Sequence, residues 1–123
     1  MIVGTVNHYR EAVIGLMLRG PRKREKEIEA IIDTGFNGWL SLPNTTISEL
    51  GLPFHSRARG CLADGSENVF NIYEGTIIWD EQPHSIAVVE SDSDPLIGMG
   101  LLYGHELTIQ AIEGGSVLIK KLS

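Results

Sequence analysis

A mostly-β domain is what this chain of 123 residues predicts, and three observations lead there. Short runs of β-branched and apolar residues follow one another along nearly the whole sequence. Turn-forming Gly, Pro and Asp residues punctuate them at regular spacing, the pattern of a barrel or sandwich. Apolar residues make up 42% of the chain, enough for one buried core at this length. No linker, internal repeat or low-complexity stretch divides the sequence, so residues 1–123 read as a single domain.

The elements follow in order. Met1 to Val6 is short and β-prone, and Ala12 to Leu18 continues in that style until Gly20-Pro21 breaks it. Ile28-Glu29-Ala30-Ile31-Ile32 is the return arm of a hairpin and runs directly into Asp33. Trp39 to Leu42 predicts another short strand, ended by Pro43. Asn44 to Gly51 carries capping residues at its start and a glycine at its end, which predicts one short helix. Cys61-Leu62-Ala63 leads into Asp64-Gly65, the strongest signal for a two-residue hairpin, with Val69 to Tyr73 as its return arm. Thr76 to Trp79 and Ser85 to Val89 are strands on either side of the turn at Asp80 to Pro83. After Pro95-Leu96-Ile97-Gly98, the segment Met99 to Gly104 predicts a short helix closed by its glycine. Leu107 to Ile112 and Val117 to Ile119 form a last hairpin about Gly114-Gly115.

Composition narrows the function. The net charge of −6 disfavours nucleic acid, whose phosphates need a basic face. The one basic cluster, Arg22-Lys23-Arg24, is followed at once by Glu25 and Glu27 and reads as a solvated hairpin tip. Cys61 is the single cysteine, so no internal disulfide forms, which fits a reducing compartment. No apolar run reaches the length of a membrane span and no signal-peptide core opens the chain, so the expectation is a cytoplasmic domain. His8, His55, His84 and His105 lack the paired spacing of metal ligands, and Glu90-Ser91-Asp92-Ser93-Asp94 lacks the spacing of a calcium loop. Neither a metal nor a cofactor is expected.

The residues that carry chemistry are Asp33-Thr34-Gly35. A carboxylate at the end of an apolar run sits where desolvation is costly, so something must justify it. Thr34 offers a small hydroxyl and Gly35 an unhindered backbone, the groups that hold a carboxylate in a tight turn. Its plainest role is that of an ordinary turn residue in a β protein. The sharper role is half of a carboxylate pair sharing one proton.

Three landmarks stand in order: Ile32-Asp33-Thr34-Gly35, the hairpin about Ala63-Asp64-Gly65-Ser66, and Pro95-Leu96-Ile97-Gly98 followed by a short Leu-rich helix. This set resembles the retropepsin-like aspartic proteases over nearly the whole chain, most closely the small stand-alone bacterial and cyanobacterial type. The resemblance implies a closed, mainly antiparallel β barrel with one or two short helices, active as a symmetric homodimer. One lobe supplies one Asp, so two chains must meet to form the pair. The implied activity is an aspartic endopeptidase acting on peptides or unfolded proteins, with a water activated between Asp33 and its symmetry mate. The alternative is a catalytically idle domain of the same fold that binds peptides or dimerises, and an unrelated small barrel with a structural Asp33 is the third reading.

Roles follow from the same resemblance. Asp33, Thr34 and Gly35 form the catalytic loop, with Thr34 bonding across the two-fold axis. Asn37 grips substrate main chain, and Ala63, Asp64, Gly65 and Ser66 form a flap closing over an extended peptide. Two positions depart from the retroviral pattern. Phe36 replaces the small residue that follows the glycine, and Met99 replaces a basic residue, so the interfacial ion pairs of those enzymes do not carry over.

Overall fold

The structure, a computed structural model, describes residues 1–61 and 64–123. In chain order the described residues form β1 (Ile2–Val6), β2 (Ala12–Arg19), β3 (Glu25–Ile32), β4 (Leu40–Leu42), α1 (Asn44–Leu50), β5 (Phe54–Cys61), β6 (Glu67–Trp79), β7 (Gln82–Glu90), β8 (Leu96–Ile97), α2 (Met99–Leu102), β9 (His105–Ile109) and β10 (Ser116–Lys121). The mainly-β expectation holds. All ten strands belong to one sheet in the order β5-β6-β7-β4-β8-β3-β2-β1-β10-β9, and β6 pairs in addition with β2. Hydrogen bonding thus runs from β2 through β3, β8, β4, β7 and β6 back to β2.

Most of these ladders are antiparallel, as hairpins require, but β3–β8 and β4–β7 are parallel. A parallel pair needs a long crossover, and the chain between Ile32 and Leu96 supplies one. Both parallel ladders lie beside the Asp33 loop.

The core follows the period-two alternation of the strands. Ile14, Leu16 and Leu18 of β2 turn inward, as do Ile28 and Ala30 of β3 and Val117 and Ile119 of β10. Leu40, Leu42, Val88 and Ile97 join them, and α1 adds Ile47 and Leu50. Truncating one of the fully buried leucines or isoleucines to Ala costs about 2–5 kcal/mol. At one edge of the core, the Trp79 indole N–H donates to Nε2 of His105 at 3.2 Å. Nδ1 of His105 lies 3.1 Å from the Tyr103 carbonyl, which assigns the proton to Nδ1. His105 is therefore a structural residue of β9.

Three local expectations need correction. Phe54 to Cys61 forms a strand that the side-chain pattern does not announce, because nearly all of β5 is exposed. Main-chain pairing with β6, from Phe54↔Tyr73 to Cys61↔Glu67, makes it a strand instead of burial. The two predicted strands on either side of Glu74-Gly75 are one strand, β6. Gly75 is there for packing: a Cβ would lie 3.1 Å from Val88 Cγ2 and 3.4 Å from Leu52 Cδ1. Helix α1 has Pro43 at its N-cap, with no side-chain cap, while Gly51 closes it with φ 64° as expected.

Among the described residues Asp80-Glu81 forms a tight two-residue turn, flanked by the pair Trp79↔Gln82, with φ of 50° and 69° at its two residues. That is the type I′ geometry, in which a glycine is favoured. The last described pair at the other hairpin is Cys61↔Glu67, and the expected turn at Asp64-Gly65 adjoins Leu62 and Ala63, which lie outside the described residues. Holding a non-glycine residue in the left-handed region costs roughly 1–2 kcal/mol. Replacing Glu81 with Gly relieves that strain but enlarges the freedom of the unfolded chain. Glu81→Gly should therefore raise stability by about 0.5–1 kcal/mol, read as a higher urea midpoint at unchanged slope. An unchanged or lowered midpoint would show that the turn is not strained.

Candidate functional site

Asp33 leaves the end of β3 where the sheet stops and a loop begins. Its backbone N–H donates to the Ile97 carbonyl at 2.9 Å, continuing the parallel β3–β8 ladder by one step. Its side-chain Oδ1 accepts the Gly35 N–H at 2.9 Å, and its carbonyl accepts the Phe36 N–H at 3.1 Å. The carboxylate is thus fixed by its own loop, half-buried, with no further hydrogen bond to it among the described residues.

Main-chain bonds from the segment after β8 hold the loop from below. The Met99 N–H donates to the Phe36 carbonyl at 2.7 Å, Gly100 N–H to Gly38 at 2.9 Å, and Gly98 N–H to Trp39 at 3.1 Å. Such close backbone approach needs glycines. A Cβ on Gly98 would lie 2.3 Å from the Gly38 oxygen and 2.6 Å from both the Phe36 carbonyl oxygen and its ring. A Cβ on Gly38 would meet the same ring at 2.5 Å. Phe36, bulky where a small residue was expected, therefore lies over two glycines that make room for it.

A cleft of about 620 Å³ opens above this loop. Asp33, Gly35, Phe36, Asn37 and Gly38 form one wall, and Ala58, Arg59, Gly60, Cys61, Phe70 and Ile72 from the β5–β6 hairpin form the other. Ser41, Val89, Ser91 and Leu96 complete it. The structure thus brings together Asp33, Gly35 and Asn37 of the expected site residues. Thr34 is exposed on the outside of the loop. Asp64, Gly65 and Ser66 lie at the end of the hairpin, outside the lining, and Ala63 lies outside the described residues. Leu96 belongs to the third sequence landmark, whereas Ser41, Arg59, Phe70, Ile72 and Val89 were not singled out as site residues in the sequence. The Leu40-Ser41-Leu42 alternation did hold a signal, since it turns Ser41 away from the core.

A second, larger groove of about 790 Å³ lies on the other side of β3, against Ile31 and Ile32. Val6, Ile109 and Ile112 give it an apolar wall, but it lacks the Asp33 carboxylate. Among the described residues no cluster of His, Cys, Asp or Glu is arranged to hold a metal ion. No described helix is long and apolar enough to cross a membrane.

At the hairpin end, Asp64 Oδ1 accepts from Ser66 Oγ at 2.6 Å and from Ser66 N–H at 2.9 Å. The Ser66 hydroxyl first, then its amide, hold the Asp64 carboxyl below the usual carboxylate range. Gly65 between them has φ 85°.

No protein-family model matches this chain, and no curated protein matches it either.

Two tests follow from this geometry. Gly98→Ala drives a methyl group into backbone oxygens that cannot move aside, so it should cost about 3 kcal/mol or more or prevent folding, measured by urea unfolding. A cost below about 1 kcal/mol would show that the loop is not clamped there. The second test concerns Asp64. A lowered carboxyl contributes to the loop above its ordinary pKa, and that contribution disappears as pH falls through the lowered value. Ser66→Ala should return the Asp64 titration upward toward the ordinary value, read by NMR. An unmoved titration would refute the bond.

Proposed function

We propose that this chain is one lobe of a homodimeric, retropepsin-like aspartic endopeptidase whose barrel is closed by the β6–β2 pairing. One observation carries the reading. The Asp33 carboxylate, fixed by Gly35 and seated on the Leu96-Ile97-Gly98 segment, faces a cleft whose opposite wall is the β5–β6 hairpin. Two of the three sequence landmarks, Asp33-Thr34-Gly35 and Leu96-Ile97-Gly98, meet at this cavity, and the arms of the hairpin that carries the third form its opposite wall.

In this reading a second copy brings its own Asp33 against the first. Two carboxylates at such a distance do not both ionise, so one keeps a proton and the other takes one from a water between them. That water attacks the scissile carbonyl while the protonated partner polarises its oxygen. The proton leaves with the amine, and no covalent intermediate forms. Gly35 and Asn37 line the cleft where an extended substrate main chain would run, and the edge of the hairpin covers it. Exposed Thr34 is available to bond its counterpart across the two-fold axis. The apolar groove beside Ile31 and Ile32, and exposed Ile109 and Ile112, favour a partner chain over an isolated monomer.

The protein should cleave an unfolded protein or a peptide library, preferentially at mildly acidic pH, and statine-type inhibitors should block it. Asp33→Asn should abolish cleavage. An Asn oxygen still accepts the Gly35 N–H, so fold and dimer should survive, as checked by circular dichroism and sedimentation. Cleavage persisting in that variant would overturn the assignment. A protein that sediments as a monomer at high concentration would favour a ligand-binding barrel instead.

A further inference from the structure

The floor of the cleft contains one side chain that does not match its neighbours. In β4, Leu40 and Leu42 are fully buried in the core, so the strand's period of two turns Ser41 to the opposite, cleft-facing side. The register names what surrounds it. Ser41 stands opposite Val89 on β7 and Leu96 on β8, and Val89 stands opposite Ile72 on β6. Residues paired in this way share a face, so Ile72, Val89, Ser41 and Leu96 make one row across the cleft floor, and all four line it.

Ser41 is the most buried of the row, with 3% of its surface exposed, and its hydroxyl oxygen has no hydrogen-bond partner among the described residues. An unpaired buried hydroxyl is costly, and Ala or Val here would complete an apolar floor without that cost. The fold gains nothing from it. The chemistry points to a partner that arrives from the cleft.

We propose that Ser41 is the specificity determinant of this cleft. The floor takes a substrate side chain with an apolar body and a neutral hydrogen-bonding tip, tyrosine or glutamine, and the tip pairs with Ser41 Oγ. This rests on the endopeptidase reading and names the substrates it acts on. A serine hydroxyl both donates and accepts, so it serves a phenol or a carboxamide equally. Phe and Met have the matching bodies without the tip and leave the hydroxyl unpaired. A carboxylate or ammonium tip would be drawn among Ile72, Val89 and Leu96 with one hydroxyl to replace its water, which is unfavourable. Arg59 lines the same cleft but is an exposed residue, where solvent screens its charge.

The test uses synthetic peptides that differ at one position, in the pairs Tyr/Phe, Gln/Met and Gln/Glu, with wild-type protein, Ser41→Ala and Ser41→Thr. One hydrogen bond corresponds to roughly a five- to tenfold preference in kcat/KM. Wild type should prefer Tyr over Phe, Gln over Met and Gln over Glu by that factor. Ser41→Ala should level the first two preferences, and Ser41→Thr, which keeps the hydroxyl, should retain them. Urea unfolding gives a readout independent of activity: Ser41→Ala should be as stable as wild type or more so. Cleavage without a tip preference, a preference that survives Ser41→Ala, Glu outrunning Gln, or a clear stability loss in Ser41→Ala each overturns this inference alone. Wild-type protein inert on every peptide overturns the endopeptidase reading itself, and this inference with it.

Discussion

Main-chain hydrogen bonds between two loops decide where the Asp33 carboxylate stands, and the rest of the site is arranged around them. Asp33 bonds Ile97, and Gly98, Met99 and Gly100 bond Trp39, Phe36 and Gly38 in turn. The short strand β8 is held between β3 on one side and β4 on the other, so the loop after β3 and the segment after β8 cannot move independently. The constraint is steric as much as electrostatic. With backbone oxygens about where a Cβ of Gly98 would be, only glycine permits the approach. A carboxylate placed by backbone rather than by long side chains keeps its geometry without ordering flexible groups.

The same clamp fixes the shape of the cleft. Phe36 rests against Gly38 and Gly98 and presents its remaining surface as cleft wall. Its bulk is therefore accommodated by the glycines beneath it, and the cleft above Asp33 still measures about 620 Å³. Across from it, β5 pairs along one edge only and ends in a loop tied by the Asp64–Ser66 bonds. Few buried contacts hold that hairpin. Low local burial is the property a covering element needs if it is to admit and release a peptide.

Much of this arrangement is legible in the sequence, and the exceptions have physical causes. Alternation exposed β2, β7 and β10, and the glycine and proline breaks marked the turns about them. Asp33 was legible because a carboxylate at the end of an apolar run has few reasons to be there. β5 was not, because a strand made by edge pairing leaves no burial pattern in His55-Ser56-Arg57-Ala58-Arg59. The turn at Asp80 to Pro83 was legible, but its two left-handed residues were not, because neither is a glycine. The cleft floor was invisible for a third reason. It is a row assembled across four strands, and only the register brings Ser41 beside Val89 and Leu96.

Departures from ordinary folding economy occur at turns such as Asp80-Glu81 and also at the cleft. Over most of the sheet, local preference, alternation and burial agree, and such agreement marks a sequence shaped for stability. Around the cleft they disagree together. A carboxylate stands at a strand end, a ring is pressed onto two glycines, and a serine is buried unpaired in an apolar row. Three such conflicts share one 620 Å³ cleft, which is why the proposed function is placed there. Everything assembled here converges on a single carboxylate, and the two-carboxylate chemistry needs a second. The proposed reading takes that second carboxylate from another copy of the chain, with exposed Thr34 next to Asp33 in the loop and the apolar groove across β3 as the surfaces open to it.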